Sequence, residues 1–238
     1  GTIVTDLSSL QDGVNDADAD PNNEIELPTS GNAGDMNYWN GSAWVTIPTT
    51  PNEGATLQMI SGVPTWTGGT PSVLNPTTGK TWMDRNLGAT QVATSSTDAA
   101  AYGDLYQWGR GTDGHQIRTS VTTATLSSID QPAHGNFILT PSAPYDWRSP
   151  QNTNLWQGVN GINNPCPSGY RIPTETELNT ERLSWSVNTS VGAFASALKL
   201  PMAGRRSLSN GSLLSVGTYG RYWSSTVSSA SSRVLNFN

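Results

Sequence analysis

The stretch Asn164–Leu178 constrains the fold more than any other part of the chain. It contains the single cysteine, Cys166, between two prolines, and a third proline, Pro173, directly precedes Thr174. Thr174 and Glu177 have the spacing of a capping box, in which two side chains accept the unpaired N–H groups of a helix's first turn. The stretch therefore predicts an irregular, proline-rich segment that leads into a helix beginning at about Thr174.

The composition favours turns over long regular elements. Only 13% of the residues are charged, whereas glycine (24) and proline (15) are frequent. Turn-forming residues at this density are typical of loop-rich β proteins. Nine tryptophans argue against disorder, because disordered chains contain few large aromatic residues. The sequence therefore predicts an α+β fold that is mostly β and loop-rich.

The charge and hydropathy exclude two classes of partner. Twelve Lys and Arg are spread over a chain of net charge −6, whereas nucleic-acid binding needs a cluster of cations. No apolar run approaches the roughly 20 residues that span a membrane. The chain begins at Gly1 without Met, so we expect it to be part of a longer protein. The absence of a signal peptide then says nothing about the compartment.

Changes in composition divide the chain into three regions. Residues 1–30 are polar and rich in Asp and Asn, which predicts an extended stalk segment that is ordered only by pairing with copies of itself. Residues 31–74 predict a Trp-containing β-hairpin module, and residues 75–238 predict the main domain, or head.

Two hairpins are predicted in the second region. Their strands and turns are Met36–Trp39 and Trp44–Ile47 around Asn40-Gly41, and Leu57–Ile60 and Val63–Trp66 around Ser61-Gly62. An Asn-Gly pair tolerates positive φ at both turn positions. Because an isolated hairpin is marginal in water, the exposed tryptophans must be covered. Packing against two other copies around a symmetry axis is one way to cover them.

The head is predicted to contain short strands and three helices. The strands are Thr81–Met83, Phe137–Leu139 and Arg233–Phe237. The helices are Asp98–Trp108 with Asp98 as its cap, the helix that begins at Thr174, and a short one at Ala193–Leu200.

One acidic cluster could bind a metal ion. Its members are Asp16, Asp18, Asp20, Asn23 and Glu24. Several hard oxygen ligands close together are what Ca²⁺ requires. An EF-hand is excluded, because Pro21 stands where that loop needs glycine and Leu27 where it needs glutamate. A structural Ca²⁺ and a solvated acidic turn stay open as alternatives.

Candidates for catalysis are few. Cys166 lacks a flanking base, so a half-cystine or a buried thiol is favoured over a nucleophile. His115 and His134 are too few for a His-rich zinc site, and both are expected to bond loops. The acids considered for glycoside hydrolysis are Asp146, Glu175, Glu177 and Glu181. Three of these lie on the capped helix, where the helix dipole explains acids in the first turn. No catalytic residue is therefore predicted.

A set of aromatic and arginine residues in loops predicts ligand binding. The set is Tyr145, Trp147, Arg148, Trp156, Arg205, Arg206, Tyr219, Arg221 and Tyr222. Such side chains give rigid contact area at low entropic cost and dominate binding hot spots. The alternative is that several of them fill the core, as is expected for Trp82, Trp108 and Trp223. The loop 210–217 is expected to line the ligand face.

The head resembles a known family through a series of ordered motifs. They are Gly79–Leu87, Tyr102–Arg110, Asp113-Gly-His115, Asn164–Thr174, Leu200–Arg205 and Gly220–Thr226. Together they resemble the Fibrobacter succinogenes-type major paralogous domain, which belongs with the C-type-lectin-like folds. The resemblance covers about residues 75–238 and implies a C-type-lectin-like head. Domains of this family continue to a segment of the form Ser-Val-Arg-Cys, so we expect the head to lack its last strand and Cys166 its partner.

The amino-terminal regions resemble a second set of proteins. The phrases Asp16–Glu24 and Gly34–Trp44 are similar to stalk segments of tail-fibre-like and surface proteins of the Bacteroidetes group. Those proteins are commonly trimeric fibres, so the resemblance implies a homotrimer.

These observations predict a non-enzymatic, receptor- or glycan-binding head of a homotrimeric extracellular fibre. The fibre would be a cell-surface adhesin or a tail fibre of a virion or injection particle, and its partners would be itself and a surface glycan or protein receptor. The alternatives are a structural subunit of a surface filament and a polysaccharide hydrolase.

Overall fold

A computed structural model describes residues 35–49, 53–229 and 231–238. The predicted stalk segment 1–30 and its acidic cluster lie outside these residues. The described residues form two compact units, of which the first contains 35–49 and 55–69 and the second contains 53–54, 70–229 and 231–238. The second unit starts a few residues before the predicted head, because the strand over residues 72–75 pairs with the strand that follows it.

The fold is α+β, mostly β and loop-rich, as predicted. The strands are β1 Met36–Trp39, β2 Trp44–Ile47, β3 Glu53–Ile60, β4 Val63–Thr70, β5 Ser72–Asn75, β6 Lys80–Met83, β7 Thr122–Thr123, β8 Phe137–Ile138, β9 Arg205–Arg206, β10 Leu213–Leu214, β11 Gly220–Ser228 and β12 Ser231–Phe237. The helices are α1 Glu175–Leu183, α2 Ser190–Ala195 and a 3₁₀ turn at Ala99–Ala101. Within the described ranges, no helix is long and apolar enough to cross a membrane.

The first unit consists of the two predicted hairpins. In β1–β2, Trp39 pairs with Trp44 across a four-residue loop, and the Asn40 side chain accepts the N–H groups of Ser42 and Ala43. Both strands have the predicted bounds, but of the Asn40-Gly41 pair only Gly41 has positive φ. An Asn side chain that accepts N–H groups two and three residues ahead stabilises the wider loop instead.

The β3–β4 turn follows the prediction. Ser61 has φ 51° and Gly62 has φ 82°, which are the left-handed values that a two-residue hairpin turn requires at both positions. The strands extend further than predicted, to Glu53 and Thr70.

The second unit is built from two-stranded sheets joined by long loops. The pairs β5–β6, β9–β10 and β11–β12 are antiparallel, and β7–β8 is parallel. The β11–β12 hairpin is the longest pair of this unit, and its register shifts between Trp223 and Val227.

The largest buried cluster lies between α1 and β12. Its members are Leu178, Trp185, Ala193, Leu198, Leu200, Leu235 and Phe237. The Trp185 ring packs edge-on against the Phe237 ring with 5.4 Å between centroids, and the Tyr222 ring stacks on the Phe237 ring with 5.8 Å between centroids. A smaller cluster contains Ile138, Trp147 and Leu155. Burial of these large side chains is the main force that holds α1 on the hairpin.

The helix predicted from Thr174 is confirmed. The Thr174 hydroxyl accepts the Glu177 N–H at 3.2 Å, and the Glu177 carboxylate accepts the Thr174 N–H at 2.9 Å, so the capping box is complete. Glu181, one of the acids considered for catalysis, is buried on the inner side of α1. Its carboxylate accepts the Asn75 amide at 2.7 Å, which attaches β5 to the helix.

The other two helices differ from the prediction. Residues 98–108 form only the 3₁₀ turn, although Asp98 does cap it by accepting the Ala100 N–H. The segment turns at Gly103, whose φ is 65° and whose missing Cβ leaves room for the Leu87 carbonyl. The third helix, α2, covers Ser190–Ala195 instead of Ala193–Leu200, since the chain becomes extended at Ser196.

Removal of the capping hydroxyl should destabilise the second unit. We expect Thr174→Ala to lower the free energy of unfolding by about 1 kcal/mol, because the Glu177 N–H loses its acceptor. Urea unfolding followed by tryptophan fluorescence measures the change. Thr176→Ala, at an exposed position of the same turn, is the control and should change it by less than about 0.5 kcal/mol. Equal effects of both substitutions would contradict a specific role for the cap.

Candidate functional site

A cavity of about 1040 Å³ opens in the second unit. Its walls are formed by β6, β9, β11 and the loops 102–108, 144–153 and 166–173. A volume of this size lies at the upper end of the range for small-molecule sites. The cavity is therefore the candidate functional site.

One wall of the cavity is the outer face of β11. Side chains alternate along this strand, so Tyr222 packs inward on Phe237 while Arg221 and Trp223 point outward. The Trp223 side chain is 36% exposed and lines the cavity. The prediction that Trp223 fills the core is therefore wrong. The alternation with Tyr222 was the signal in the sequence that identifies Trp223 as an outward residue.

Two indole groups fix β11 against the loop 102–108. The Trp223 indole N–H donates to the Tyr106 carbonyl at 2.8 Å, and the Trp108 indole N–H donates to the Ser224 carbonyl at 2.8 Å. These reciprocal bonds connect the loop and the strand as a ladder of backbone bonds would connect two strands. They hold the Trp223 ring in place at the wall of the cavity.

Two arginines lie near Trp223 on the same wall. The Gly204 N–H donates to the Tyr219 carbonyl at 2.9 Å, so the start of β9 lies beside the start of β11. Arg205 directly follows Gly204, Arg221 lies two residues after Tyr219, and both line the cavity. Burial lowers the pKa of Arg221, and the positive charge of Arg205 lowers it further. The two guanidinium groups are therefore close enough to repel each other.

The loop 144–153 contributes Tyr145, an exposed residue of the predicted set, to the lining of the cavity. Its side chain is 60% exposed, and its φ of 61° lies in the left-handed region that residues other than glycine rarely adopt. Such outliers cluster at functional sites because the surrounding structure must hold them in place. The structure thus brings Tyr145, Arg205 and Arg221 to one cavity, together with Trp223.

Three more aromatic residues of the predicted set also line the cavity, but Trp147 and Trp156 are buried and Tyr222 is half-buried. The indoles of Trp147 and Trp156 are buried and donate to the carbonyls of Trp108 and Arg110. The Tyr222 hydroxyl donates to the Pro201 carbonyl at 2.7 Å, and burial raises the pKa of Tyr222. A buried indole or phenol must find a hydrogen-bond acceptor, and backbone carbonyls provide it. These rings therefore offer little surface to a ligand in the cavity.

The remaining residues of the set are engaged in local contacts or lie outside the cavity. Arg148 pairs with Asp130 at 2.6 Å. Arg206 donates to the Gly211 carbonyl at 2.7 Å and lies 4.4 Å above the Phe137 ring. Tyr219 is exposed but does not line the cavity, and neither does the loop 210–217.

The cysteine and the two histidines considered for catalysis are either protonated or engaged in hydrogen bonds. Burial raises the pKa of the Cys166 thiol to about 12, so the reactive thiolate is absent at neutral pH. His115 is buried; its Nδ1 lies 2.6 Å from an Asp113 oxygen and its Nε2 accepts the Gln107 N–H. Burial lowers the pKa of His115, so the ring is neutral and Nδ1 donates to Asp113. His134 accepts the Asn136 N–H, as expected for a loop residue.

Two of the acids considered for catalysis, Asp146 and Glu177, line the cavity and have donors of their own. Asp104 also lines it, and burial raises the pKa of its carboxyl. The Glu177 carboxylate accepts both terminal nitrogens of Arg171, at 2.7 and 2.8 Å. This pairing lowers the pKa of Glu177 to about 2. Asp146 accepts the Arg148 N–H and the Gln151 amide, each at 3.0 Å.

No group of three or more potential metal ligands occurs among the described residues. The acidic cluster Asp16–Glu24 lies outside them, so a structural Ca²⁺ there stays a prediction. Comparison of the chain with protein-family models, with curated proteins and with solved structures gives no match.

The pairing of Glu177 with Arg171 should make stability fall in acid. The pKa of Glu177 is about 2 in the folded protein, against an ordinary value of 4.5. The pair therefore stabilises the fold above pH 4.5 and loses its effect as the pH falls towards 2. We expect the free energy of unfolding of wild type to exceed that of Glu177→Gln by about 1–2 kcal/mol at neutral pH, allowing for solvent screening. This difference should vanish in acid.

Urea unfolding at a series of pH values measures this difference. Glutamine can still accept the Thr174 N–H, so the substitution removes the charge and keeps the capping bond. Glu175→Gln is the control, since its exposed carboxylate lies 3.8 Å from Arg233 and such a pair contributes little. A wild-type advantage that is the same at all pH values would contradict the ionic explanation.

Proposed function

We propose that the second unit is the receptor- or glycan-binding head of an extracellular fibre, and that it acts without catalysis. The observation that carries the proposal is the cavity of about 1040 Å³ with Trp223 and Tyr145 exposed on its walls. Aromatic rings held in place at a concave surface bind sugar rings or apolar side chains at low entropic cost. The resemblance to C-type-lectin-like heads supports the same function.

The state of the reactive side chains supports a binding role over an enzymatic one. The Cys166 thiol is protonated at neutral pH, and both ring nitrogens of His115 are engaged in hydrogen bonds. The carboxylates of Asp146 and Glu177 are held by donors from their own loops. An acid or base that works in catalysis needs a free proton-transfer position toward the substrate.

The surface of the first unit supports assembly into a homotrimer. Six apolar side chains of its hairpins are exposed, namely Met36, Trp39, Leu57, Met59, Ile60 and Val63. A small hairpin module with this much apolar surface is marginal in water. Two further copies of the chain around a threefold axis would cover it, in agreement with the resemblance to trimeric fibre stalks.

In this proposal the chains assemble into a fibre that presents its heads to a surface. The fibre would lie outside the cell, as an adhesin on the cell surface or as a tail fibre on a virion or injection particle. An adhesin and a tail fibre would each hold several copies of the binding site close together. Linked copies of one site gain affinity without any new contact.

Binding by the head should depend on the two exposed aromatic residues. We expect Trp223→Ala and Tyr145→Ala each to weaken binding to a glycan array or to host cells about tenfold or more. Tyr219→Ala is the matched control, because Tyr219 is exposed at the start of the same hairpin but does not line the cavity. Trp223→Phe keeps an aromatic ring but loses the bond to the Tyr106 carbonyl, so it separates the role of the ring from that of the bond, and the thermal unfolding midpoint of each variant controls for folding.

Two results would contradict the proposal. One is binding that is equally weakened by Tyr219→Ala, which would place the contact elsewhere on the head. The other is turnover of a polysaccharide that an acid-to-amide substitution such as Asp146→Asn abolishes, which would make the protein a hydrolase.

The oligomeric state should depend on the apolar side chains of the first unit. We expect analytical ultracentrifugation to give a trimer, and Met59→Asp to shift it towards monomer, because a charge replaces an apolar contact. Met59 is 66% exposed in the single chain. Val121→Asp is the control, since Val121 is 71% exposed on the second unit. Open-ended polymers in place of a closed trimer would favour a surface filament.

A further inference from the structure

Most of the cations that line the cavity are already paired. Arg85 bonds to Asp84 at 2.7 Å, and Arg171 bonds to Glu177 at 2.7 Å. Lys80 lies 3.8 Å from the same Glu177 carboxylate. Arg206 is engaged with the Gly211 carbonyl and the Phe137 ring. None of these four side chains is available to a ligand without breaking a contact.

Arg205 and Arg221 are the exceptions. Within the part of the chain that the structure describes, neither guanidinium has a carboxylate within 4.0 Å. Arg221 donates only its Nε, to the Asn236 amide oxygen at 2.9 Å, so its two terminal nitrogens still face the cavity region without an acceptor among these residues. Arg205 is half-buried and lines the cavity, and it has no hydrogen-bond acceptor among the same residues.

Holding these two groups together is unfavourable in the empty protein. Both are cations on adjacent segments, joined through the Gly204–Tyr219 backbone bond; Arg205 is half-buried and Arg221 is exposed. Like charges held close together repel, and an opposite charge stabilises each of them. An anion bound between them would relieve the repulsion and supply the missing acceptors. A guanidinium presents a planar fork of N–H groups that fits a carboxylate or sulfate group with two bonds.

We propose that Arg205 and Arg221 bind the carboxylate or sulfate groups of an acidic polysaccharide whose sugar rings stack on Trp223 and Tyr145. This rests on the proposed binding function and names its ligand class. Exposed aromatic rings beside two free guanidinium groups match a polymer that alternates sugar faces with charged substituents. The small number of free cations at the cavity disfavours a nucleic acid, which requires many phosphate contacts.

The test compares charged and uncharged polysaccharides with the full chain. Isothermal titration would use dextran sulfate and polygalacturonate as the acidic probes and dextran as the neutral one. We expect binding of an acidic probe, weaker at higher salt, and little binding of dextran. Arg205→Gln and Arg221→Gln should each weaken binding about tenfold, and the double variant more than either.

Two controls separate a specific site from general attraction and from unfolding. Arg182→Gln removes the same charge from α1 at a residue that does not line the cavity, and it should leave affinity unchanged. Glutamine at position 221 can still donate to the Asn236 side chain, and the Arg205 side chain makes no hydrogen bond among the described residues. The thermal unfolding midpoints of both variants should therefore match that of wild type.

The possible failures are distinguishable. Dextran binding as tight as dextran sulfate binding, or affinity that is unchanged in the double variant but lost in Trp223→Ala, would overturn the acidic ligand and leave the binding head intact. Arginine-dependent binding of poly-glutamate in preference to both acidic polysaccharides would overturn the carbohydrate assignment. Absence of binding to any glycan and to host cells would remove the proposed function itself.

Discussion

The loops around the cavity are organised by one buried guanidinium. Arg110 is fully buried, and each of its five N–H groups has an acceptor. The acceptors are the Asp113 carboxylate for Nε and one Nη2 hydrogen, the Gln107 side chain and Asn136 carbonyl for Nη1, and the His134 carbonyl for the other Nη2 hydrogen. The same group lies 5.5 Å from the centre of the Trp147 ring. A buried charge without such partners would cost several kcal/mol, so the loops can adopt only arrangements that keep all these contacts.

This arrangement explains how a unit of two-stranded sheets keeps a defined shape. The Asp113 carboxylate bonds both Arg110 and His115, and His115 in turn accepts the Gln107 N–H. The loop 102–108 is thereby held by the Arg110–Asp113–His115 bonds, and it is also held by the reciprocal indole bonds to β11. Side chains bonded to backbone carbonyls perform here the task that long strands perform in larger sheets. The position of the cavity wall therefore depends on side-chain chemistry more than on secondary structure.

The sequence predicts the features that depend on neighbouring residues and misses those that depend on distant ones. The capping box at Thr174 and the hairpin turn at Ser61-Gly62 are local, and both were predictable from side-chain chemistry and backbone preference. The failed helix at 98–108 has a local helix pattern, but Gly103 must accommodate a carbonyl from a segment 16 residues away. Two tryptophans illustrate the same difference. The alternation along β11 is local and indicates that Trp223 points outward, whereas the burial of Trp147 depends on tertiary packing.

Burial alternates along β11. Tyr222 is half-buried and packs on Phe237, whereas its neighbours Arg221 and Trp223 are exposed. The inward ring keeps the hairpin in register whatever the outward side chains are, provided that they tolerate an extended backbone. In the proposed binding role, substitutions at the exposed alternate positions of this strand would change the ligand without first requiring stability to be gained elsewhere. The hairpin would then be a scaffold on which new specificities evolve one residue at a time.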